Sequence, residues 1–195
     1  MTEDFDAVVR ALHEEGVRAD AVQTDRSRRR RNLDPDEAAL LGLVCEAMGA
    51  RRVLEVGTSN GFSTLWLARA VHDRGGTVLS VDVDAVGQRA AAANLARVGL
   101  HEDVELRCAD GGQVLRELPD RSQDVVFLDA DRSHYLDWWP HPVRVLRPGG
   151  LLAIDNVLSH PDQVAELRGL IDADPRLRAT VSTAGKGLLL AVTRA

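Results

Sequence analysis

The fold is decided by the stretch Val53-Leu-Glu-Val-Gly-Thr-Ser-Asn-Gly-Phe-Ser-Thr-Leu-Trp66, which predicts a buried strand, a glycine-bearing turn and a helix in succession. Gly57 and Gly61 lack a Cβ, so the turn can bend sharply and approach a ligand closely. The helix that follows offers free N–H groups and the positive end of its dipole. One strand later, Ser80-Val-Asp82 ends in a carboxylate that can accept both hydroxyls of a ribose. These features together predict a nucleoside site.

The turn departs from the dinucleotide fingerprint G-x-G-x-x-G, because Ser59 stands where the second glycine belongs. That glycine lets a pyrophosphate approach the backbone, so its absence favours an adenosyl ligand without phosphate, hence S-adenosylmethionine over NAD. Glu55 is a candidate acceptor for the ammonium of this cofactor. Asp110 is a candidate for the adenine amino group or for the N-cap of the next helix, and both roles are compatible. The predicted cofactor contacts are Glu55, Gly57, Thr58, Ser59, Gly61, Ser63, Asp82, Val83, Asp110, Gly111 and Asp129.

Outward from this unit the chain alternates helix-like and strand-like stretches, which predicts a doubly wound, Rossmann-like α/β fold with helices on both faces of the sheet. Near the C-terminus, Ala184-Gly-Lys-Gly187 joins two strands and indicates a hairpin, so we expect seven strands, mostly parallel, with this hairpin antiparallel. The predicted strands are 53–56, 78–81, 104–106, 125–128, 151–154, 179–183 and 188–193. The predicted helices are 3–15, 34–48, 61–73, 85–98, 111–118, a broken one near 133–146, and 161–173. The second begins with Asp34 as N-cap, Pro35 at the first position and Glu37 in a capping box.

The composition, 45% hydrophobic and 28% charged residues, is that of a globular protein. A net charge of −6 argues against nucleic-acid binding by the whole surface. No apolar run approaches the roughly 18 residues of a membrane span, and the acidic start lacks the apolar region of a signal peptide. Cys45 and Cys108 lie in apolar-periodic segments, which predicts two buried free thiols and a cytoplasmic location.

Two more predicted strands end in polar residues: Asp129 follows one, and Asp155-Asn156 follow the other. Open α/β sheets bind ligands outside the carboxyl ends of their strands, so these side chains meet at one rim if the strands are neighbours. Two carboxylates and an amide oxygen suit Mg²⁺ with positions left for water or substrate, and no Cys/His spacing supports zinc. The alternative is two solvated acids that cap turns.

Four segments together resemble the cation-dependent O-methyltransferase family: Glu55–Ser63, Phe127–Tyr135, Arg147–Gly150 and Asp155-Asn156. That family includes the catechol and caffeoyl-coenzyme A O-methyltransferases and related bacterial enzymes, some of which modify tRNA hydroxyuridine. The resemblance runs from about residue 34 to the C-terminus. It implies that Asp129, Asp155 and Asn156 ligate a divalent cation, with Mg²⁺ expected, and that Asp82 holds the cofactor ribose. It further implies an S-adenosylmethionine-binding domain at 34–195, with 1–33 as a helix and Arg-rich segment edging the acceptor site of one overall domain.

The sequence departs from the family at Arg132, where members usually carry a lysine proposed as general base. A guanidinium does not deprotonate in proteins, so we expect Arg132 to stabilise a developing oxyanion or to pair with Asp131. Arg132 and Asp129 are therefore the predicted catalytic residues. The segment after Asn156 is short, without the insertion that covers the acceptor in the plant enzymes, so a more open acceptor site is expected.

The predicted function is Mg²⁺-dependent methylation of a small hydroxylated, catechol-like acceptor by a homodimer. The arginines at 26 and 28–31 favour an anionic acceptor. In the alternative that the protein methylates tRNA hydroxyuridine, they would contact phosphates. The remaining interpretation is that they form a solvated arm. A third alternative is a non-catalytic S-adenosylmethionine-binding protein, against which the three rim residues argue. His134 and His160 are weak candidates for proton relay. Trp138 and Trp139 are candidates for stacking on the acceptor or for packing.

Overall fold

The computed structural model describes residues 2–24 and 32–194, so Arg26 and Arg28–Arg31 lie outside the described residues. Helix α1 spans Phe5–Val22 and α2 spans Pro35–Ala47. The predicted end of α1 near residue 15 is wrong, because Gly16 continues the buried stripe of Val8, Val9 and Leu12. A Cβ at Gly16 would lie 2.6 Å from Asn32 Nδ2, so this helix packs directly against the chain that enters α2.

The predicted seven-stranded sheet is confirmed, with strand order β3-β2-β1-β4-β5-β7-β6. The strands from β1 to β5 pair in parallel, whereas β7 is antiparallel to both β5 and β6. Two strands begin earlier than predicted, β5 at Leu146 and β6 at Leu177. The bounds are β1 Arg52–Val56, β2 Thr77–Asp82, β3 Val104–Cys108, β4 Gln123–Leu128, β5 Leu146–Ile154, β6 Leu177–Ser182 and β7 Leu188–Thr193.

Helices cover both faces of the sheet, and strand alternation divides the interior into two apolar cores. Along β4, Val125 and Phe127 face the core under α1, α2 and α3, while Val126 and Leu128 face the core under α5 to α8. The remaining helices are α3 Phe62–His72, α4 Ala85–Val98, α5 Gly111–Glu117, α6 Tyr135–Trp138, α7 His141–Arg144 and α8 Pro161–Ala173, with 3₁₀ turns at His101–Asp103 and Arg132–His134. The predicted broken helix near 133–146 is thus confirmed as three short pieces.

The two thiols differ in environment, which corrects the prediction for one of them. Both are free cysteines, but only Cys45 is buried, whereas Cys108 is exposed. Cys108 ends β3, which is an edge strand, so its side chain lacks a covering neighbour on one side. Among the described helices, none combines the length and apolarity needed to cross a membrane.

Candidate functional site

The glycine turn after β1 lies between two neighbouring strands. Gly57 N donates to the Val81 carbonyl of β2 at 2.8 Å, and a Cβ on Gly57 would lie 2.2 Å from the Asp129 carbonyl oxygen. With φ at +112°, this position requires glycine on both conformational and steric grounds. Gly61, with φ at +84°, begins α3 against Ala91 of α4. The turn is therefore fixed by the sheet and presents the start of α3 at the carboxyl end of the strands.

The carboxylate of Asp82 accepts hydrogen bonds that fix the shape of the glycine turn. Its Oδ2 accepts from Ser59 N and its Oδ1 from Asp84 N, each at 2.9 Å. Ser59 itself has φ at +50°, a strained value that the contact to Asp82 supports. Val83 follows and is 74% exposed. The structure thus brings Asp82, Val83 and the glycine turn together, while the ribose contact of Asp82 stays a prediction.

Glu55 lies beneath the turn and is fully buried. Its Oε1 accepts from Ser63 Oγ, and its Oε2 from Thr64 Oγ1 and Ser80 Oγ, all at 2.5 Å. Burial raises the pKa of Glu55 to about 7, and the three hydroxyl donors partly oppose that rise. Thr58 extends this group of hydroxyls, with its Oγ1 2.7 Å from Ser80 Oγ. Hydroxyl groups of the protein already donate to both carboxylate oxygens of Glu55. An ammonium group of the cofactor could therefore contact Glu55 only by sharing these oxygens with the hydroxyl donors.

The two predicted residues around α5 have clear structural roles. Asp110 is the N-cap, because its Oδ1 accepts from Gln113 N at 2.7 Å. A Cβ on Gly111 would lie 2.3 Å from Val56 Cγ1, so the first turn of α5 packs tightly on the end of β1. The side chain of Asp110 is exposed, and its contact to adenine remains a prediction.

A second group of carboxylates occupies the rim where β4 and β5 end. These strands are parallel neighbours with Leu128 opposite Ile154, so Asp129 and Asp155 emerge side by side. Burial and the repulsion between the two carboxylates raise the pKa of Asp129, and burial is the main cause that raises the pKa of Asp155. Asp155 Oδ2 accepts from Asn156 Nδ2, whereas Asp155 Oδ1 is buried and has no hydrogen-bond donor in the described part of the chain.

This rim fits a hard cation in its donor chemistry. Two adjacent carboxylates and an amide oxygen are ligands of the kind that Mg²⁺ takes, and Asp155 Oδ1 is an acceptor that no donor within residues 2–24 and 32–194 satisfies. Asn156 has φ at +65°, a conformation that turns its side chain back towards Asp155. In the described part of the chain, no three His, Cys, Asp or Glu side chains are grouped to hold a metal ion, so Asn156 is needed to complete a ligand set.

Arg132 does not pair with Asp131 as expected. Its Nε donates to Gln163 Oε1 of α8 at 2.9 Å, and no ion pair joins it to Asp131 within the described residues. Asp131 instead caps the 3₁₀ turn through Ser133 N at 3.0 Å, and this contact is the main cause that lowers the pKa of Asp131. The direct pairing was wrong because Asp131 and Arg132 are consecutive and the cap turns the carboxylate towards the backbone.

The aromatic and histidine candidates mostly have packing roles. Trp138 is 5% exposed and stacks on His134 with ring centroids 6.0 Å apart. A Cβ on Gly112 would lie 2.4 Å from Trp138 Nε1, so this ring fills the space beside α5. The packing alternative therefore holds for Trp138, while Trp139 is half-buried beside the same core. His160 is exposed, with Nδ1 2.9 Å from Ser159 Oγ.

Two charged residues near the rim were missed by the sequence analysis. Lys186, the only lysine of the chain, carries a charge that lowers the pKa of both Asp129 and Asp155. Glu37 does not form the predicted capping box: its side chain is fully buried, and its carboxylate faces the backbone N–H groups of Lys186 and Gly187 instead of the N-cap. Burial, then the Asp155 carboxylate, raises the pKa of Glu37 to about 7. The signals were a solitary lysine between two glycines and an acid three residues after an N-cap, and both are equally typical of turns and caps.

The sheet order, together with a glycine turn after β1 and an acid ending β2, defines the Rossmann-like fold of the class I methyltransferases. The chain belongs to the O-methyltransferase family, whose model matches residues 14–194. A catechol O-methyltransferase of Mycobacterium tuberculosis is 33% identical over 178 residues, covering 83% of this chain and 80% of that protein. Another from Niastella koreensis is 31% identical over 130 residues, covering 65% of this chain and 58% of that one. The crystal structure of an O-methyltransferase from Bacillus cereus in complex with S-adenosylhomocysteine covers 100% of this chain and 93% of its own, with a TM-score of 0.81 at 25% identity.

Proposed function

We propose that the protein is an S-adenosylmethionine-dependent O-methyltransferase that uses a divalent cation, Mg²⁺ by its donor set, to methylate a small catechol-like acceptor. The observation that carries the proposal is the pair of adjacent carboxylates at the rim, Asp129 and Asp155, where Asp155 Oδ1 is buried and receives no hydrogen bond from a donor among the described residues. A binding module has no need of such a costly pair, whereas a transferase that must hold a hydroxylated acceptor does. Relatives named catechol O-methyltransferase support the choice of acceptor.

The cofactor side of the proposed site is supplied by the turn after β1. S-adenosylmethionine carries the transferable methyl on a sulfonium, and its adenosyl part has no phosphate to place. Asp82 would accept from the ribose hydroxyls while its contact to Ser59 N keeps the turn in shape. The close approach of Gly57 to Asp129 brings the cofactor turn next to the carboxylate rim, so donor and acceptor share one crevice.

On the acceptor side, Asp129, Asp155 and Asn156 would hold the cation, which when bound fixes the acceptor oxygens and favours their ionised form. Arg132 adds positive charge near this rim, since its field is among the influences that lower the pKa of Asp155. Tyr135 stabilises the segment after Asp129, because its hydroxyl accepts from Ala130 N at 2.9 Å and donates to Ala130 O at 3.1 Å. In this proposal these residues orient the acceptor. The cytoplasmic location and the homodimer expected from the sequence remain predictions.

The test is transfer of a labelled methyl group from S-adenosylmethionine to a panel of catechols and to bulk tRNA, each with and without a chelator. The proposal predicts transfer to catechols that stops on chelation and returns with Mg²⁺. Transfer to tRNA but not to catechols would show that the acceptor is tRNA. Transfer that survives exhaustive chelation would show that no divalent cation is required. Binding of the cofactor without transfer to any acceptor would show that the protein is not catalytic.

A further inference from the structure

The loop 184–187 between β6 and β7 carries Lys186 and lies against the carboxylate rim. The Lys186 carbonyl accepts from Leu158 N at 3.0 Å and from Ser159 N at 3.2 Å, and the Gly187 carbonyl accepts from Val157 N at 3.0 Å. These bonds hold the loop on the segment that directly follows Asn156. The position of Lys186 is therefore tied to the end of β5.

The other side of the loop is fixed by α2. Gly185 has φ at +51°, and a Cβ there would lie 2.3 Å from Glu37 Oε2 and 2.6 Å from Asp34 Cβ. The backbone N–H groups of Lys186 and Gly187 partly offset the rise in the pKa of Glu37. Glu37 thus packs beneath the loop, which is held between the start of α2 and the end of β5.

The Lys186 side chain lines a cavity of about 390 Å³ whose other walls are α1 and the entry to α2. Two atoms of this wall, His13 Nδ1 and Asn32 Oδ1, are buried without hydrogen-bond partners among the described residues, which points to a polar ligand. The same lysine acts electrostatically on Asp129 and Asp155. Lys186 therefore lies between this cavity and the carboxylate rim. The cavity lining is His13, Gly16, Val17, Asp20, Ala21, Asn32, Asp34 and Lys186.

We propose that Lys186 is a further catalytic residue of this enzyme, whose ammonium group donates a hydrogen bond to the ionised hydroxyl of an acceptor seated in that cavity. The inference rests on the proposed function. The acceptor hydroxyl loses its proton to solvent, its oxygen forms the new O–C bond as the methyl–sulfur bond breaks, and sulfur keeps the electron pair. The ammonium group of Lys186 stabilises the oxyanion. Arg132 is less available for this role, because its Nε is directed to Gln163.

The test compares Lys186→Met and Lys186→Arg with a control, Arg178→Met, which removes one exposed positive charge from edge strand β6. One readout is kcat/KM for catechol with Mg²⁺, and the other is the affinity for Mn²⁺ measured by electron paramagnetic resonance without acceptor. Lys186→Met should lower kcat/KM about tenfold to a hundredfold, because a charge-assisted hydrogen bond is lost. It should also tighten Mn²⁺ binding about threefold, since a like charge near the cation is removed. Lys186→Arg should largely restore both values, and Arg178→Met should change neither.

Opposite effects on cation and acceptor distinguish this role from a structural one, because a distorted loop would weaken both. An unchanged kcat/KM in Lys186→Met, or Mn²⁺ binding that is unchanged or weaker, would overturn the inference while the proposed function stands. A parent protein that transfers no methyl to catechol would overturn both, and the fault would then lie with the proposed function.

Discussion

Two groups of buried carboxylates lie on either side of the glycine turn, and they differ in how their oxygens are satisfied. Under the cofactor turn, Glu55 accepts from three hydroxyl groups of the protein. At the rim of β4 and β5, Asp155 Oδ1 is buried without a hydrogen-bond donor among the residues described. A buried acceptor left unpaired costs roughly 1–3 kcal/mol, more if it is charged. The hydrogen-bonding capacity of the first group is therefore satisfied by the folded protein, whereas the second group needs a bound ligand to satisfy it.

The largest effect is expected from Asp155→Asn, which keeps the shape of the side chain and removes its charge. We expect methyl transfer to fall about a thousandfold, because a cation ligand is lost. The free energy of unfolding at neutral pH without divalent cation should rise, since burial raises the pKa of Asp155 and a charge there is a cost to the folded state. Kinetics and urea unfolding measure the two changes, and a variant that is both inactive and less stable would contradict the comparison.

Next in size is Gly57→Ala, which tests how closely the two groups approach. The new methyl group would meet the Asp129 carbonyl at 2.2 Å in a backbone with φ at +112°, so we expect a loss of about 3 kcal/mol in unfolding free energy. Gly75→Ala is the matched control, because Gly75 also has positive φ, at +59°, but nothing lies within 4 Å of its Cβ. The control should lose about 1 kcal/mol. Equal losses in the two variants would show that the contact with Asp129 has no consequence.

A pH dependence should distinguish Glu55 from its amide. The folded-state pKa of about 7 lies above the ordinary value of 4.5, so the folded protein binds this proton more tightly than the unfolded chain. The contribution of Glu55 to stability is therefore greatest below about pH 4.5 and is lost as the pH rises through 7. Relative to the parent, Glu55→Gln should gain up to about 3 kcal/mol over that interval, at 1.36 kcal/mol per pKa unit. Parallel stability curves for the two proteins would contradict the assignment.

The smallest effect is expected from Asp82→Ala, measured by calorimetry with S-adenosylmethionine. Loss of the ribose contacts and of the support to Ser59 N should weaken binding at least about tenfold. Asp82→Asn keeps one acceptor oxygen and should fall between parent and alanine variant. Unchanged affinity in Asp82→Ala, or tight NAD binding by the parent, would remove the assignment of the cofactor turn.

The sequence predicted the placement of the glycine turn, Asp82 and the β4–β5 rim better than the contacts of Glu37 and Lys186, for a physical reason. The turn, Asp82 and the carboxyl ends of β4 and β5 follow from strand periodicity and the rules of parallel sheets, which are local or topological. Glu37 and Lys186 lie far apart in the chain and meet only because the β6–β7 hairpin packs on α2. A lysine between glycines and an acid three residues after an N-cap are typical of ordinary turns and caps, so no local pattern predicts their partners.

The errors in the sequence analysis have the same origin. Pairing with Asp131 was one of two roles expected for Arg132, and it is not seen among the described residues because backbone capping competes for the same carboxylate. Cys108 is exposed because the sheet order places β3 at an edge, which periodicity alone does not reveal. For Cys108, the position of the strand in the sheet decided between a buried and an exposed thiol.

We propose above that the rim of Asp129, Asp155 and Asn156 is a cation site, because Asp155 Oδ1 has no hydrogen-bond donor among the described residues. It is tested most directly by a Mn²⁺ titration of the cofactor-loaded protein, followed by electron paramagnetic resonance, with Asp155→Asn beside the parent. The account predicts one saturable site per chain in the parent, displaced by Mg²⁺ and lost in the variant. The absence of saturable binding in the parent, or identical binding in the two proteins, would contradict it.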